Sequence, residues 1–148
     1  SDLQLIGARL PNANGIPIDG LGLVDVETIY TDDPRSVGEL VIRYNGDLAE
    51  PILTGFENHQ GLTILGQGVE PLGTVLRGIG NGRDGADCIS PEGVHHGRVF
   101  GTYMHGPALV RNPQLADEVL SSAVGELGPY VDEFAEALAA ERRNTLLK

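Results

Sequence analysis

Cysteine is nearly absent from this chain, and long apolar runs are missing altogether. The single cysteine among 148 residues, Cys88, cannot form an internal disulfide, which agrees with a reducing compartment. No apolar stretch approaches the roughly 20 residues of a membrane-spanning helix. The N-terminus also lacks the basic and apolar regions of a signal peptide. These absences predict a cytoplasmic protein without a membrane span.

Positive charge is also scarce. Ten Lys and Arg residues stand against 21 Asp and Glu, which gives a formal net charge of −11. Phosphate backbones and anionic membrane surfaces are bound by clustered basic side chains, so both are disfavoured as partners. We expect a small molecule or a protein partner, and the length fits one domain.

Two common site patterns are missing as well. His95 and His96 are adjacent and have no Cys/His spacing typical of zinc, so we interpret them as solvated loop histidines and predict no metal site. The glycines of residues 78–85 are not followed by the Lys-Ser/Thr pair of a phosphate loop, so they predict a turn-rich connection. Cys88 lies in a loop-like stretch, and we interpret it as an incidental thiol.

What the chain does contain is a β-rich middle. Short runs of Val, Ile and Leu are separated by turn residues, a pattern typical of strands. The predicted strands lie within residues 21–31, 37–44, 52–56, 62–65, 74–77 and 98–103. The Asp32-Asp33-Pro34 turn predicts that the first two are neighbouring antiparallel strands.

Two helices are predicted at the C-terminal end. Asn112 is a suitable N-cap, Pro113 suits the first helical position, and an apolar stripe continues until Gly128-Pro129. A second helical pattern covers residues 130–147. Its acidic residues come first and its arginines last, which matches the helix dipole.

Two glycine-flanked histidine motifs are the most informative features. They are Gly55-Phe56-Glu57-Asn58-His59-Gln60-Gly61 and Gly101-Thr102-Tyr103-Met104-His105-Gly106-Pro107. In the second motif an apolar, β-prone run must stop at Gly106-Pro107, which places His105 at the end of a strand. A histidine mounted there is well placed to act as a base.

With these motifs, the segments Gln4-Leu5-Ile6-Gly7 and Asn112-Pro113-Gln114-Leu115-Ala116-Asp117 complete a recognisable order. The chain resembles the class I glutamine amidotransferases of the CobB/CobQ type, and within them the GatD group, the glutaminase subunits of lipid II isoglutaminyl synthases. The resemblance implies a flavodoxin-like α/β fold, here its β-rich C-terminal portion followed by two helices. Residues 1–128 would be the C-terminal part of the amidotransferase domain, and residues 129–148 a helical extension.

The resemblance also implies a cysteine–histidine mechanism. A cysteine thiolate attacks the side-chain amide of glutamine, and His105 matches the histidine that activates the thiol. In the family this cysteine lies four residues before the position of Gln4, so it is expected just before Ser1. Asp2 stands where the family usually has a small glycine. The chain is therefore expected to be inactive alone.

Further site residues follow from the same resemblance. Arg35 matches an arginine near the glutaminase site, where its guanidinium could hold the carboxylate of glutamine. Glu57, Asn58 and His59 are expected to line the site, and Gln4 to support the turn that carries the nucleophile. An alternative interpretation of Arg35 is an exposed hairpin residue, and an alternative for the first motif is polar side chains that only close a turn.

The function implied is hydrolysis of L-glutamine and delivery of ammonia to a ligase partner. That partner would be a MurT-like Mur ligase subunit that amidates the D-glutamate of lipid II to D-isoglutamine in peptidoglycan synthesis. ATP and Mg²⁺ would belong to the partner, with no cofactor in this chain. Two alternatives remain: the amidotransferase domain of a cobyric acid or cobyrinate amide synthase, and a non-catalytic amidotransferase-like scaffold.

Overall fold

A mixed α/β fold, β-rich at first and helical at its end, is confirmed. The computed structural model describes residues 2–82, 90–105 and 107–148. Within them the strands are β1 Arg9–Pro11, β2 Pro17–Asp19, β3 Val26–Ile29, β4 Ser36–Tyr44, β5 Ile52–His59, β6 Leu62–Leu65, β7 Gly73–Arg77, β8 Pro91–Glu92, β9 Val94–His96 and β10 Val99–Gly101. The helices are α1 Asp2–Ile6, α2 Ala108–Arg111, α3 Pro113–Val124 and α4 Glu133–Leu146.

The strands form two four-stranded sheets and a short hairpin. The first sheet has the order β2-β1-β3-β6, the second has the order β5-β4-β7-β8, and β9 pairs with β10. The longest pairing is antiparallel and joins β4 to β5, from Ser36 opposite His59 to Arg43 opposite Ile52. The run Leu40, Val41, Ile42 is fully buried. A continuous apolar run is what a strand covered on both faces requires.

The predicted hairpin between residues 21–31 and 37–44 is wrong. Only β3 is a strand in the first segment, and it pairs with β1 and β6 in a different sheet from β4. Buried Thr28 and Thr63 lie opposite each other in β3 and β6, and their hydroxyl oxygens are 2.8 Å apart. Such a cross-strand pair stabilises this partner choice. The Asp32-Asp33-Pro34 turn therefore passes the chain from one sheet to the other.

Asn112 does not cap α3 with its side chain, although Pro113 does take the first helical position. The buried amide instead binds the backbone of β5: its Oδ1 accepts from the N–H of Thr54 at 2.9 Å, and its Nδ2 donates to the carbonyl of Thr54 at 2.8 Å. The side chain satisfies both backbone groups of one strand residue. Asn112 thus ties the start of α3 to the sheet.

Both C-terminal helices are shorter than predicted. α3 ends at Val124, because Gly125 follows with a φ of 87° that stops the helix. α4 begins only at Glu133, because the side chain of Asp132 accepts hydrogen bonds from the N–H groups of Phe134 and Ala135 and so acts as the N-cap.

The last helix is packed on the sheet. Ala139 of α4 is fully buried, and the guanidinium of Arg143 lies 3.7 Å from the carboxylate of Glu50, just before β5. α4 contacts both β5 and α2. Across the described ranges, none of the helices combines the length and apolar character needed to span a bilayer.

One carboxyl group is buried in the core next to the second histidine motif. Glu92 has no exposed surface, and its Oε1 accepts from the hydroxyl of Thr102 at 2.7 Å and from the N–H of Tyr103 at 2.6 Å. Its Oε2 has no hydrogen-bond partner in the part of the chain that the structure describes. Burial raises the pKa of Glu92 to about 7, with a smaller contribution from the charge of Glu57, while the two hydrogen bonds oppose the shift.

We expect Glu92 to make the stability of the protein depend on pH. Its pKa is about 7 in the fold against 4.5 for an ordinary Glu, so folding takes up a proton between these values. The free energy of unfolding then falls as the pH rises through this window, by on the order of 2–3 kcal/mol. In Glu92→Gln the side chain does not titrate, so the free energy of unfolding should no longer fall as the pH rises. Urea denaturation at a series of pH values measures this dependence.

The exposed Glu126 provides the matched control. Glu126→Gln should follow the wild-type pH dependence. A Glu92→Gln protein whose stability changes with pH as the wild type's does would contradict the assignment.

Candidate active site

His105 is mounted on the strand that carries the first histidine motif. Its backbone N–H donates to the carbonyl of Phe56 in β5 at 2.7 Å, which forms an isolated antiparallel bridge. The predicted strand within residues 98–103 is shorter, because β10 ends at Gly101, so His105 does not lie at the end of that strand as predicted; the residue is exposed. The two motifs are therefore joined by a backbone hydrogen bond, and His105 is held at a fixed position beside β5.

The first motif alternates between the two faces of β5. Glu57 and His59 are buried, whereas Phe56 and Asn58 are exposed. This follows from the period of two residues in a strand. The motif thus presents two polar side chains to the interior and one amide to the outer face.

Glu57 and His59 form a buried pair. The His59 Nε2 lies 3.0 Å from the Glu57 Oε2, and the carboxylate also accepts from the N–H groups of Ile79 at 2.8 Å and Gly80 at 3.0 Å. The imidazole stacks on the ring of Tyr103 with a centroid distance of 3.7 Å. Stacking and the hydrogen bond together fix the ring plane of His59.

Asn58 holds the guanidinium of Arg35. The Nε of Arg35 donates to the Oδ1 of Asn58 at 2.6 Å, and one terminal nitrogen donates to the carbonyl of Asn58 at 3.2 Å. Arg35 lies just before β4, whose first residue is paired with the end of β5, so the strand register brings the two side chains together. Since a guanidinium has five N–H groups, further donors remain for a ligand.

Gln4 connects α1 to the end of β5. Its Nε2 donates to the carbonyl of Gln60 at 3.1 Å. Gln4 also contributes a hydrogen bond to Tyr103, whose hydroxyl lies 2.5 Å from the Oγ1 of Thr63. Burial raises the pKa of Tyr103, and the hydrogen bonds from Thr63, Thr28 and Gln4 oppose that shift. Tyr103 is thus held as a neutral phenol beneath His59.

These side chains meet around one cavity of about 490 Å³. Among the sequence-predicted site residues, the cavity is lined by Gln4, Arg35, Asn58, His59 and His105. Glu57 does not line it: this residue stands behind His59 and faces a neighbouring cavity of about 580 Å³, to which Arg35 also contributes. A smaller cavity of about 350 Å³ brings His105 together with Asp2 at the start of α1.

Five further residues that line the main cavity were missed by sequence reasoning: Pro11, Asn12, Ala13, Tyr30 and Gln60. Gln60 belongs to the first motif, so a signal was available. Its Nε2 donates to the carbonyls of Thr31 and Asp33, which fixes the loop before β4. Asn12 and Tyr30 lie near β1 and β3, and only the three-dimensional fold brings them to β5.

The other histidines lie elsewhere. His95 and His96 belong to β9, so their interpretation as loop residues is wrong. The Nε2 of His95 lies 3.1 Å from the carbonyl of Gly97, and its ring stacks on Phe100. Cys88 lies outside the described residues. Within the ranges that the structure describes, no group of three or more His, Cys, Asp or Glu residues could hold a metal ion.

Comparison with known families gives a match over most of the chain. The model of the CobB/CobQ-like glutamine amidotransferase domain matches residues 2–113. That range contains every residue that lines the cavity of His105.

Individual relatives agree with that match. The chain is 37% identical over 145 residues to the lipid II isoglutaminyl synthase (glutamine-hydrolyzing) subunit GatD of Streptococcus pneumoniae, covering 93% of this chain and 54% of the relative. For the same subunit of Staphylococcus aureus the identity is 33%, covering 93% and 55%. A probable cobyric acid synthase of Methanothermobacter thermautotrophicus is 38% identical over 104 residues, 67% of this chain and 19% of the relative. The chain thus spans about half the length of the GatD relatives.

Gly55 must stay small for His105 to keep its position. A Cβ at Gly55 would come within 2.5 Å of the Cβ and Cγ of buried Met104, the residue before His105. Gly55→Ala should therefore displace the second motif and lower the free energy of unfolding by about 1–3 kcal/mol. Urea denaturation measures this loss.

Gly128→Ala is the control, because no atom lies within 4 Å of a Cβ placed there. It should leave stability close to the wild-type value. Equal stability of Gly55→Ala and Gly128→Ala would show that Met104 does not restrict this position.

Proposed function

Since this chain belongs to the CobB/CobQ-like glutamine amidotransferase family, we propose that it contributes the histidine and the glutamine-binding residues of a cysteine-dependent glutaminase. The observation that carries the proposal is one cavity shared by His105, the candidate base, and Arg35, the candidate carboxylate ligand. A base and a carboxylate anchor are what hydrolysis of the glutamine side chain requires at opposite ends of the substrate.

The mechanism we propose begins with a cysteine immediately before Ser1. His105 takes the thiol proton, and the thiolate attacks the side-chain amide carbon of glutamine to form a tetrahedral adduct. The C–N bond then breaks, His105 returns the proton to the leaving ammonia, and a thioester remains. Water, deprotonated by His105, cleaves the thioester and releases glutamate. The cavity shared by His105 and Asp2 supports this placement of the thiol.

Arg35 would hold the α-carboxylate of glutamine. Asn58 orients its guanidinium through two hydrogen bonds, which leaves N–H groups free for a charge-assisted pair with a carboxylate. Arg35 and Asn58 both line the cavity of His105. A preoriented guanidinium loses less side-chain entropy on binding than a free one, so affinity improves.

The ammonia would be used by a partner. The identities to GatD subunits support a role in which a MurT-like Mur ligase subunit, with its own ATP and Mg²⁺, amidates the D-glutamate of lipid II in peptidoglycan synthesis. We place this reaction in the cytoplasm, whose reducing conditions preserve a catalytic thiol. The shorter likeness to cobyric acid synthases supports the alternative of an amidotransferase domain in such an enzyme. The native sequence before Ser1 distinguishes these possibilities, and a residue other than cysteine there would favour a non-catalytic scaffold.

His105→Ala, tested in the full-length protein with its ligase partner, should lower the kcat of glutamine hydrolysis by about 100- to 10,000-fold, because the thiol loses its base. Ammonia release from L-glutamine measures the effect. His96→Ala, at the exposed end of β9, is the matched control and should retain normal activity. Full activity of His105→Ala would overturn the assignment.

Arg35→Lys should raise the KM for glutamine by about 10-fold or more, since a lysine cannot bind Asn58 and a carboxylate with the same planar geometry. The kcat should change less than the KM, because the side chain binds the substrate away from the reacting amide. Arg43→Lys, at an exposed position of β4, provides the comparison. Equal KM values for the two variants would exclude Arg35 as the carboxylate ligand.

A further inference from the structure

The 490 Å³ cavity that His105 shares with Arg35 is lined by a guanidinium but by no carboxylate among the described residues. Free glutamine carries both an α-carboxylate and an α-ammonium group. Arg35 accounts for the first of these under the proposed function, on which this inference rests. The ammonium group, a donor only, requires an acceptor in the same cavity.

Two of the neutral acceptors in the cavity are already used. The Oδ1 of Asn12 accepts from the N–H groups of Asn14 at 2.8 Å and Ile16 at 3.0 Å. The Oδ1 of Asn58 accepts from Arg35 at 2.6 Å. Both lone pairs of the Asn12 oxygen are therefore occupied, and the Asn58 oxygen lies against the guanidinium of Arg35, whose positive charge disfavours an ammonium group beside it.

His59 offers an acceptor without a partner. His59 is one of the residues that line the cavity and is only 3% exposed, and its buried Nδ1 makes no hydrogen bond in the described part of the chain. A buried polar atom without a partner costs free energy, which a bound ligand can recover. The Nδ1 of His59, which has no partner, is therefore a candidate contact for a ligand.

Glu57 determines which His59 nitrogen carries the proton. Its carboxylate accepts from two backbone N–H groups, and its Oε2 lies 3.0 Å from the His59 Nε2. When neutral His59 donates to this carboxylate, the proton is on Nε2 and the Nδ1 keeps a lone pair. Glu57 also brings negative charge close to a cavity that has no carboxylate of its own.

We propose that the Nδ1 of His59 accepts a hydrogen bond from the α-ammonium group of glutamine. Arg35 and His59 then bind the two charged groups on the α-carbon, and His105 is left to act at the side-chain amide. His59 makes the site selective for α-amino acids over simple amides of dicarboxylic acids.

The test compares L-glutamine with glutaramate, which is glutamine with a hydrogen in place of the α-amino group. The full-length protein with its partner is assayed by ammonia release, and the preference is the ratio of the two kcat/KM values. His59→Gln can still donate to Glu57 from a position close to Nε2 but loses the Nδ1 acceptor. His59→Asn retains a polar atom close to the Nδ1 position and loses the contact with Glu57.

The wild type should prefer glutamine, and His59→Gln should reduce that preference by about 10- to 100-fold, as expected for a hydrogen bond to a charged group. The kcat/KM for glutamine should fall more than the kcat/KM for glutaramate. His59→Asn should retain more of the preference than His59→Gln. L-Glutamine α-amide, which lacks the carboxylate charge, should be a poorer substrate than glutamine for the wild type, and this difference should be smaller in Arg35→Lys but not in His59→Gln.

Three outcomes would overturn the assignment. If the wild type hydrolyses L-glutamine and glutaramate equally well, the site does not bind the ammonium group. This result requires no variant. If His59→Gln keeps the full preference for glutamine over glutaramate, another residue, for example Gln60, accepts the hydrogen bond from the ammonium group. A wild type that releases no ammonia from glutamine instead rejects the proposed glutaminase function, and the assignment with it.

Discussion

The hydrogen bond from the N–H of His105 to the carbonyl of Phe56 joins segments that are 49 positions apart in the sequence. Because it is a backbone contact, it fixes the histidine relative to the whole of β5 rather than to one side chain. The alternation of β5 then places Glu57 and His59 in the interior and Asn58 outside with Arg35. The close packing of Gly55 against Met104 keeps this contact at its short distance. The side chains of these site residues are therefore held in place by β5.

Local features of the fold were predictable from the sequence, but the pairing of strands that are distant in the sequence was not. The apolar runs that became β4, β5, β6 and β7 were recognisable because burial and strand period leave a direct trace in the residue order. The pairing of β3 with β6 depends on contacts such as Thr28 with Thr63, 35 residues apart, which no local pattern encodes. Asn112 shows the same limit of prediction from local sequence. Its side chain suits a helix N-cap but instead binds the backbone of Thr54 in a distant strand.

Some residues of the candidate site were likewise predictable from the sequence, and others were not. His105, Arg35, Asn58, His59 and Gln4 were predicted from the motifs and the family resemblance, and the structure places all five around one cavity. Motifs name residues but not the direction of a side chain, so the position of Glu57 behind His59 could not be predicted. Asn12 and Tyr30 come from segments without any motif. Their membership of the cavity depends on how the first sheet lies against β5.

The five-residue helix α1 has a consequence for the order in which the molecule assembles. A helix this short is not stable in isolation, and α1 is held by buried Leu3 and by the bond from Gln4 to Gln60, which spans 56 positions. Contacts between such distant positions form late, because closing a long loop costs entropy that only the finished sheet repays. A residue just ahead of α1 would thus be aligned with His105 only once the second sheet is complete.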